Sequence, residues 1–474
     1  MNARYIQLSN KIIDDIAVGK LVVGQRMPSI RKMTRQHQVS ITTILSCYHR
    51  LEEQGWLSAK PQSGFFVSQP LNKLAVPEYL SFKAKVTQPR KGKDVVHSPR
   101  NLGPLHTAQL SASLVPVAVL HRAQQRACQL APEKIFQYPE VQGDQQLRSV
   151  LCAHFSQHYF PLCEDNLVIT NGCIDAVRVA LEVTSNKGDV IVVASPCFNG
   201  LLDLLHNMGR LVIEIPCLES GLDLEQLEGH LRENKVAACL LSASFSNPQG
   251  VSLSVTHKQR IVSLAEHYQV PIIEDDVYLE LGFTKVAPLP IKHWDENGWV
   301  IWCGSISKTI GAGYRLGWCE TGRYLHQYLN YLSGHSLGVN NIAQITVSEF
   351  IGSGQYLKYL NKLKLALASH ALDYHQLLRQ CLGEKAKISA IDGGLVLWVQ
   401  IAGLCSQALV KKAAVAGIYI KAGSEFTSRD GYLDCFRLNI GWSISQNQQT
   451  PEIDVRCQMI TLCELIDQCL ISND

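Results

Sequence analysis

Five short stretches carry side chains able to do chemistry, and they recur in one order along a chain of 474 residues. Asn171-Gly172-Cys173 puts a glycine at the start of a helical stretch, where free N–H groups suit a phosphate. Ser195-Pro196-Cys197-Phe198 presents an aromatic ring, and Ser246-Asn247-Pro248-Gln249-Gly250 an amide on a turn. Glu274-Asp275-Asp276-Val277-Tyr278 offers a carboxylate cluster with a phenol close behind. Gly304-Ser305-Ile306-Ser307-Lys308, followed by Gly311, Gly313 and Arg315, adds hydroxyls, an amine and a guanidinium. Taken singly, each has a plain structural account: core aromatic, turn asparagine, capping aspartate, surface lysine. Their succession points to one charged pocket.

Pyridoxal phosphate needs this combination. Its aldehyde requires an amine to hold it as a Schiff base, which Lys308 supplies. Its ring nitrogen requires a carboxylate to keep it protonated, and Asp275 fits because Tyr278 then falls three residues on. That phenol and Asn247 can hydrogen-bond the ring oxygen, while Phe198 stacks on the ring face. The phosphate is expected to take N–H groups of Gly172 and Cys173, hydroxyls of Ser305 and Ser307, and a charge-assisted contact from Arg315.

The elements that must position these groups are short apolar runs. Leu167-Val168-Ile169-Thr170, Val190-Ile191-Val192-Val193-Ala194, Ala237-Ala238-Cys239-Leu240-Leu241, Pro271-Ile272-Ile273 and Val300-Ile301-Trp302 each precede one stretch. Strands this uniformly apolar are covered on both faces, as in a mostly parallel sheet with helices between strands. Ile174, Val177 and Leu181 are expected on one helical face. In such sheets ligands bind beyond the carboxyl ends of the strands.

The first seventy residues read differently. Ile6, Leu8, Ile12, Ile13 and Ile16 recur at helical spacing up to Gly19. Ser29 is the expected N-cap of a second short helix with Ile30 and Met33 inward. Ser40 is the expected cap of a third helix carrying Ile44, Cys47, Tyr48 and Leu51, which ends near Gln54-Gly55. Residues 56–67 then read as a hairpin turning at Pro61-Gln62-Ser63-Gly64. Two short helices followed by a longer one is helix-turn-helix spacing. Residues 71–100, with Pro77, Pro89 and Pro99 among lysines and arginines, read as a basic linker, and residues 101–474 as the α/β body.

Charge divides along the same line. Residues 1–100 hold 16 Lys+Arg against 6 Asp+Glu, a net +10, while the rest nets −7. A basic head on an acidic body suggests that the head meets a polyanion. The sixteen cysteines include no C-x-x-C pair, which argues against zinc and any disulfide framework and suits a reducing cytoplasm. Neither a signal-peptide core nor an apolar run of membrane length is apparent, so no membrane partner is expected.

Two resemblances follow from these residues. The stretch from Arg26-Met27-Pro28-Ser29-Ile30-Arg31 through Val39-Ser40 to Gln62-Ser63-Gly64-Phe65-Phe66-Val67 resembles the GntR family of bacterial regulators. It implies a winged helix in which Arg31 and Arg35 reach phosphate. Ser40, Thr42 and Thr43 are then at the major groove, and Gly64 lets the wing approach the minor groove. Ile41 departs from the arginine usual there. The bland alternative is a small helical adaptor with a basic face. Residues 100–474 resemble class I/II aminotransferases of PLP fold type I, through Asn247-Pro248-x-Gly250, Asp275-x-x-Tyr278, Ser305-x-Ser307-Lys308 and Arg315. That likeness implies that Tyr138, in Tyr138-Pro139-x-x-x-Gly143, serves the partner subunit's phosphate. It also implies that Arg437, in Cys435-Phe436-Arg437-Leu438-Asn439, holds a substrate carboxylate, a buried structural arginine being the alternative.

The fusion resembles the MocR subfamily. It implies a cytoplasmic homodimeric regulator of promoter DNA, associated with the bacterial nucleoid, that senses an amino acid, an amine or pyridoxal phosphate itself, with slow or no turnover. The competing expectation is a working aminotransferase that carries a DNA-binding head. A scaffold that has lost its cofactor conflicts with the presence of Lys308, Asp275 and Arg315.

Overall fold

Local sequence accounts for each element of the head. The computed structural model describes residues 4–17, 20–21, 24–53, 56–60, 64–68, 75–90, 102–233, 235–284, 288–445 and 454–471, which form two compact units, Met1–Ala75 and Val76–Asp474. In the first, α1 (Arg4–Ala17) turns Leu8, Ile12 and Ile16 inward. Ser29 caps α2 (Ile30–His37), accepting from the Lys32 N–H at 3.3 Å. Ser40 accepts from the Thr43 N–H at 3.1 Å at the start of α3 (Ile41–Glu53). Ile44, Cys47, Tyr48 and Leu51 are buried along one face of α3, and full burial of an Ile or Leu contributes roughly 1.5–3 kcal/mol before entropy is charged. Strands β1 (Leu57–Lys60) and β2 (Gly64–Val67) pair antiparallel, with Leu57 opposite Val67. Gly19, Gln54-Gly55, the hairpin turn at 61–63, Pro70 and residues 91–100 lie outside the described residues.

The second unit is built on one large sheet. Its strands are β3 (Val86–Thr87), β4 (Leu167–Thr170), β5 (Val190–Ser195), β6 (Leu211–Leu218), β7 (Gly221–Leu222), β8 (Val236–Leu241), β9 (Ile272–Asp275), β10 (Val300–Ser305) and β11 (Gly317–Glu320). They run in the order β3-β6-β5-β8-β9-β10-β11-β4, with β7 on β6. β6, β5, β8, β9 and β10 are parallel, and β11 runs against both β10 and β4. The mostly parallel sheet is as expected. The uniform apolarity has its physical reason in β5, whose Ile191 and Val193 pack with Val177 and Leu181 while Val192 packs with Ile261 and Leu264 on the other face. On their helix Val177 and Leu181 are buried, while Ile174 is exposed. A smaller antiparallel sheet holds β12 (Ala386–Ile388), β13 (Val396–Ile401), β14 (Lys421–Ala422) and β15 (Cys435–Asn439) in the order β12-β13-β15-β14.

The expected linker differs from a free tether over residues 76–90, which lie along the second unit as a strap. The Glu78 and Ala84 N–H groups donate to Gln400 and Gln226, each at 2.7 Å. Leu80 packs against Trp398, Phe426, Tyr432 and Cys435, and Val86–Thr87 pairs with Val212–Ile213. An extended strap held by backbone hydrogen bonds needs no apolar period, so its sequence reads as loop.

Candidate cofactor site and nucleic-acid interface

Sheet order gathers the chemical groups. β9 ends on Asp275, and β10, beside it with Cys303 opposite Asp275, leads into the turn bearing Lys308. β4, first in sequence among the parallel strands, lies at the far side of β11, where Gly317 pairs with both Ser305 and Thr170. Glycine is required at 317. A Cβ there would sit 2.6 Å from the Gly172 carbonyl carbon and 2.8 Å from the Gly304 oxygen. That close approach brings the Asn171-Gly172 loop against the strand that leads to Lys308.

Asp275 is buried and accepts from the Cys173 Sγ at 3.1 Å. Burial raises its pKa, opposed by the thiol, the Val277 N–H and the Lys308 charge. Lys308 is pushed down to about 8, first by burial and then by the Arg437 charge, against the pull of Asp275. Its Nζ donates to the Ala108 carbonyl at 2.7 Å and lies 5.9 Å from the centre of the Tyr278 ring. The Tyr278 phenol is raised by burial and hydrogen-bonds Asn247.

Asn247 in turn accepts from Arg437 Nη1 at 3.3 Å. Arg437, on β15, is only 1% exposed and is pushed down to about 10 by burial. Its Nη2 donates to the His106 carbonyl, its guanidinium lies 5.6 Å from the centre of the Phe426 ring, and its Nε has no hydrogen-bond partner. Among the described residues it forms no ion pair. Tyr278 and the Glu425 carboxylate oppose the effect of burial on Arg437, and a ligand carboxylate would add a direct ion-pair partner.

After short helix α4 (Gly103–His106), the body helices α5 (Val117–Leu130) and α6 (Gln145–His158) lead to β4 and α7 (Cys173–Thr184). Gly172 stands at the N-terminus of α7 with φ +92° and no side-chain cap. A Cβ at Gly172 would lie 2.8 Å from Arg315 Nη2, so guanidinium and helix start form one cradle. Arg315 donates to the Asn171 carbonyl at 2.9 Å. An uncapped helix start beside an arginine, an amine with a lowered pKa and a buried carboxylate are the donor set that pyridoxal phosphate requires, and the residues present fit it. Ser307 is half-buried beside Lys308. Ser305 departs from expectation: its hydroxyl donates to the Leu316 carbonyl at 2.7 Å and accepts from the Ser307 N–H at 3.1 Å. Its proton is spent on the turn that presents Lys308.

Phe198 precedes α8 (Asn199–Asn207) and folds back, such that a Cβ at Gly200 would meet its ring at 2.6 Å. With Asn247 it lines a cavity of about 260 Å³. Tyr138 is 84% exposed in the single chain, near Phe136 in sequence, which is 87% exposed. Sequence reasoning missed Glu280. Its carboxylate meets His154 Nε2 at 2.6 Å and accepts from the Tyr356 hydroxyl at 2.6 Å, and that hydroxyl also meets Thr309, the residue after Lys308, at 3.0 Å. Its position two residues after Tyr278 was the available signal. The carbonyls of His106 and Ala108 had none, because any residue supplies a carbonyl.

In the head, Arg35 and Thr42 are exposed on α2 and α3, and Gly64 is exposed with φ +96° at the start of β2. Arg31 lies in the first turn of α2. Thr43 differs from expectation: its hydroxyl turns back to the Ser40 hydroxyl at 2.8 Å. Ile41 is 53% exposed at the helix start, an apolar group where a charged contact is usual.

The profile of aminotransferase class I and II matches residues 105–450, and that of bacterial regulatory proteins of the gntR family matches residues 4–67. The HTH-type transcriptional regulator YdcR of Escherichia coli K12 is 28% identical over 459 residues, covering 94% of this chain and 97% of that protein. YjiR of the same organism is 28% identical over 452 residues, covering 94% and 96%. The multiple substrate aminotransferase of Thermococcus profundus superposes with a TM-score of 0.71 at 23% identity, covering 80% of this chain and 94% of that one, and so shares the fold.

Proposed function

The chain belongs to the class I and II aminotransferase family, and from that premise, with a gntR-family domain ahead of it, we propose that it is a pyridoxal-phosphate-dependent regulator of transcription. Its body binds a small amino compound, its head binds promoter DNA, and two copies act together in the bacterial cytoplasm. The observation that carries the reading is Arg437, a buried guanidinium without an ion-pair partner among the described residues, tied to Asn247 in a pocket that also holds Lys308. The head favours a regulator over a metabolic enzyme, since transamination needs no DNA-binding unit.

When bound, pyridoxal phosphate supplies an aldehyde and an electron-withdrawing ring. The remaining work falls to the chain. Lys308, partly neutral near pH 8, is the amine that holds the aldehyde. Asp275, buried at the end of β9, would hold a proton on the ring nitrogen. Tyr278 and Asn247 would hold the ring oxygen, Gly172, Cys173, Ser307 and Arg315 would cradle the phosphate, and Phe198 would flank the ring. Arg437 takes the ligand's carboxylate with a planar fork. Tyr138, exposed in one chain, reaches the phosphate held by a second copy. Arg35 and Arg31 engage DNA phosphates, while Thr42 at the start of α3 reaches base edges.

The test is a titration of the cofactor-loaded protein with amino acids and amines, followed by absorbance and by promoter-fragment affinity in parallel. A ligand shifts an equilibrium only by its differential affinity for the two states, so the sensing ligand must move both readouts. Arg437→Ala is expected to weaken carboxylate ligands about ten- to a hundredfold, the worth of a hydrogen bond to a charged group, and to spare amines that lack a carboxylate. Rapid turnover to a keto acid with promoter affinity unchanged across the panel would overturn the regulator reading in favour of an enzyme.

A further inference from the structure

Three consecutive residues of the strap touch different parts of the pocket's surroundings. The Glu78 N–H donates to Gln400 on β13, Tyr79 forms a wall of the 260 Å³ cavity, and Leu80 packs into the cluster of Trp398, Phe426, Tyr432 and Cys435. Phe426 is the ring over which Arg437 lies, and β13 pairs with β15 so that Trp398 stands opposite Arg437. The cavity's other walls include Phe198 and Asn247, and Asn247 is the residue to which Arg437 Nη1 donates at 3.3 Å.

Size and charge limit what the cavity can take. A void of about 150 Å³ accepts a benzene ring, and this one is larger, with the cofactor ring expected to take the part beside Phe198 and Asn247. Its walls mix apolar Leu222 with hydroxyls such as Ser242. Its rim carries the exposed carboxylate of Glu219, and among the described residues no lysine, arginine or histidine lines it. An anionic side chain would meet a like charge and find no counter-charge, whereas a neutral or cationic group up to ring size is accommodated.

We propose that this cavity is the side-chain compartment for the ligand whose carboxylate Arg437 holds, selecting neutral or cationic amino acids over anionic ones, and that Tyr79 reads whether it is filled. The proposal rests on the reading that the body binds an amino compound. Tyr79 lies four residues beyond the end of the DNA-binding unit at Ala75. A side chain pressing on that wall therefore acts on the segment that continues into the head. Small ligands such as L-alanine leave the wall untouched.

The experiment uses the full-length, cofactor-loaded protein and measures affinity by calorimetry for L-alanine, L-leucine, L-phenylalanine, L-lysine and L-aspartate. It follows affinity for a promoter fragment with and without each ligand. At least one of leucine, phenylalanine and lysine is expected to bind about tenfold more tightly than aspartate. Tyr79→Ala should weaken the preferred large ligand about fivefold, leave L-alanine within about twofold, and abolish the promoter response at saturating ligand. Glu219→Gln, at an exposed rim where folding is not at risk, should narrow the gap between lysine and aspartate. Affinities indifferent to the side chain, a Tyr79→Ala effect equal for all ligands, or a promoter response preserved in Tyr79→Ala at saturation would each overturn the compartment while leaving amino-compound binding intact. Failure of all five ligands to bind would instead overturn the underlying reading, and this proposal with it.

Discussion

In the proposed function the head and the body both bind anions, and they do it with opposite physics. In the head the charged and polar groups, Arg35 and Thr42, stand in solvent on a small core of α1, α2 and α3. In the body the corresponding groups are inside: Arg437 is 1% exposed and Asp275 7%. A polyanion offers many charges at once, so an exposed basic face gains affinity by releasing counterions and is screened by salt. A single carboxylate offers one charge, and only a desolvated guanidinium with fixed geometry can make one contact count.

Salt separates the two most sharply. With about six or more phosphate contacts, promoter affinity should fall roughly a thousandfold between 50 and 200 mM salt. Over the same range, affinity for a ligand held at Arg437 should change by less than about threefold, because a buried contact is poorly screened. Measuring both on one preparation checks the contrast, and parallel salt slopes would break it.

Burial at Lys308 makes the next largest difference. The neutral amine is the nucleophile, and a pKa lowered to about 8 raises its share at neutral pH relative to an ordinary lysine. The rate at which apoprotein takes up pyridoxal phosphate, followed by absorbance, should rise about tenfold from pH 6 to 7 and level off above about 8.5. A rate still climbing at pH 10 would mean that Lys308 behaves as a solvated lysine. Lys308→Ala should abolish covalent fixation by borohydride and leave the head's salt-dependent DNA binding in place.

The smallest effect lies within the head itself. Thr42 is exposed, whereas the Thr43 hydroxyl is turned to Ser40. Thr42→Ala should reduce preference for the promoter over unrelated DNA by about two- to tenfold, the worth of one hydrogen bond. Thr43→Ala should change preference less than about twofold and lower the head's unfolding midpoint slightly. Equal effects on preference would erase the distinction drawn from the hydroxyl's orientation.

Much of the site was legible in the chain because each chemical group directly follows an apolar run. Asp275 closes β9 and Lys308 follows β10, so motif and element reinforce each other. What escaped notice was carried by groups with no local signature. The His106 and Ala108 carbonyls face Arg437 and Lys308 without any residue type announcing it. Glu280 reads as an ordinary acidic residue until Tyr356 and His154 arrive from distant helices. Ser305 has the right type for a phosphate and the wrong commitment, since the Leu316 carbonyl takes its proton. Residues 76–90 hold to the body through backbone hydrogen bonds, which leave no periodicity to read.

By itself the sequence left β6, β11 and most of the small sheet unread, but it determined five strands of the large sheet, the capped helices and hairpin of the head, and which side chains stand ready at strand ends. Those are local matters, set by apolar period, capping and turn chemistry within a dozen residues. Tertiary structure alone decided that β4 lies beyond β11, so that Gly172 meets Arg315 and the Lys308 turn. It also decided that Arg437 from the small sheet reaches Asn247 from the large one. Strand neighbours and contacts between sheets are selected by which long-range burial best offsets the entropy of closing long loops, and no short stretch of chain records its partner.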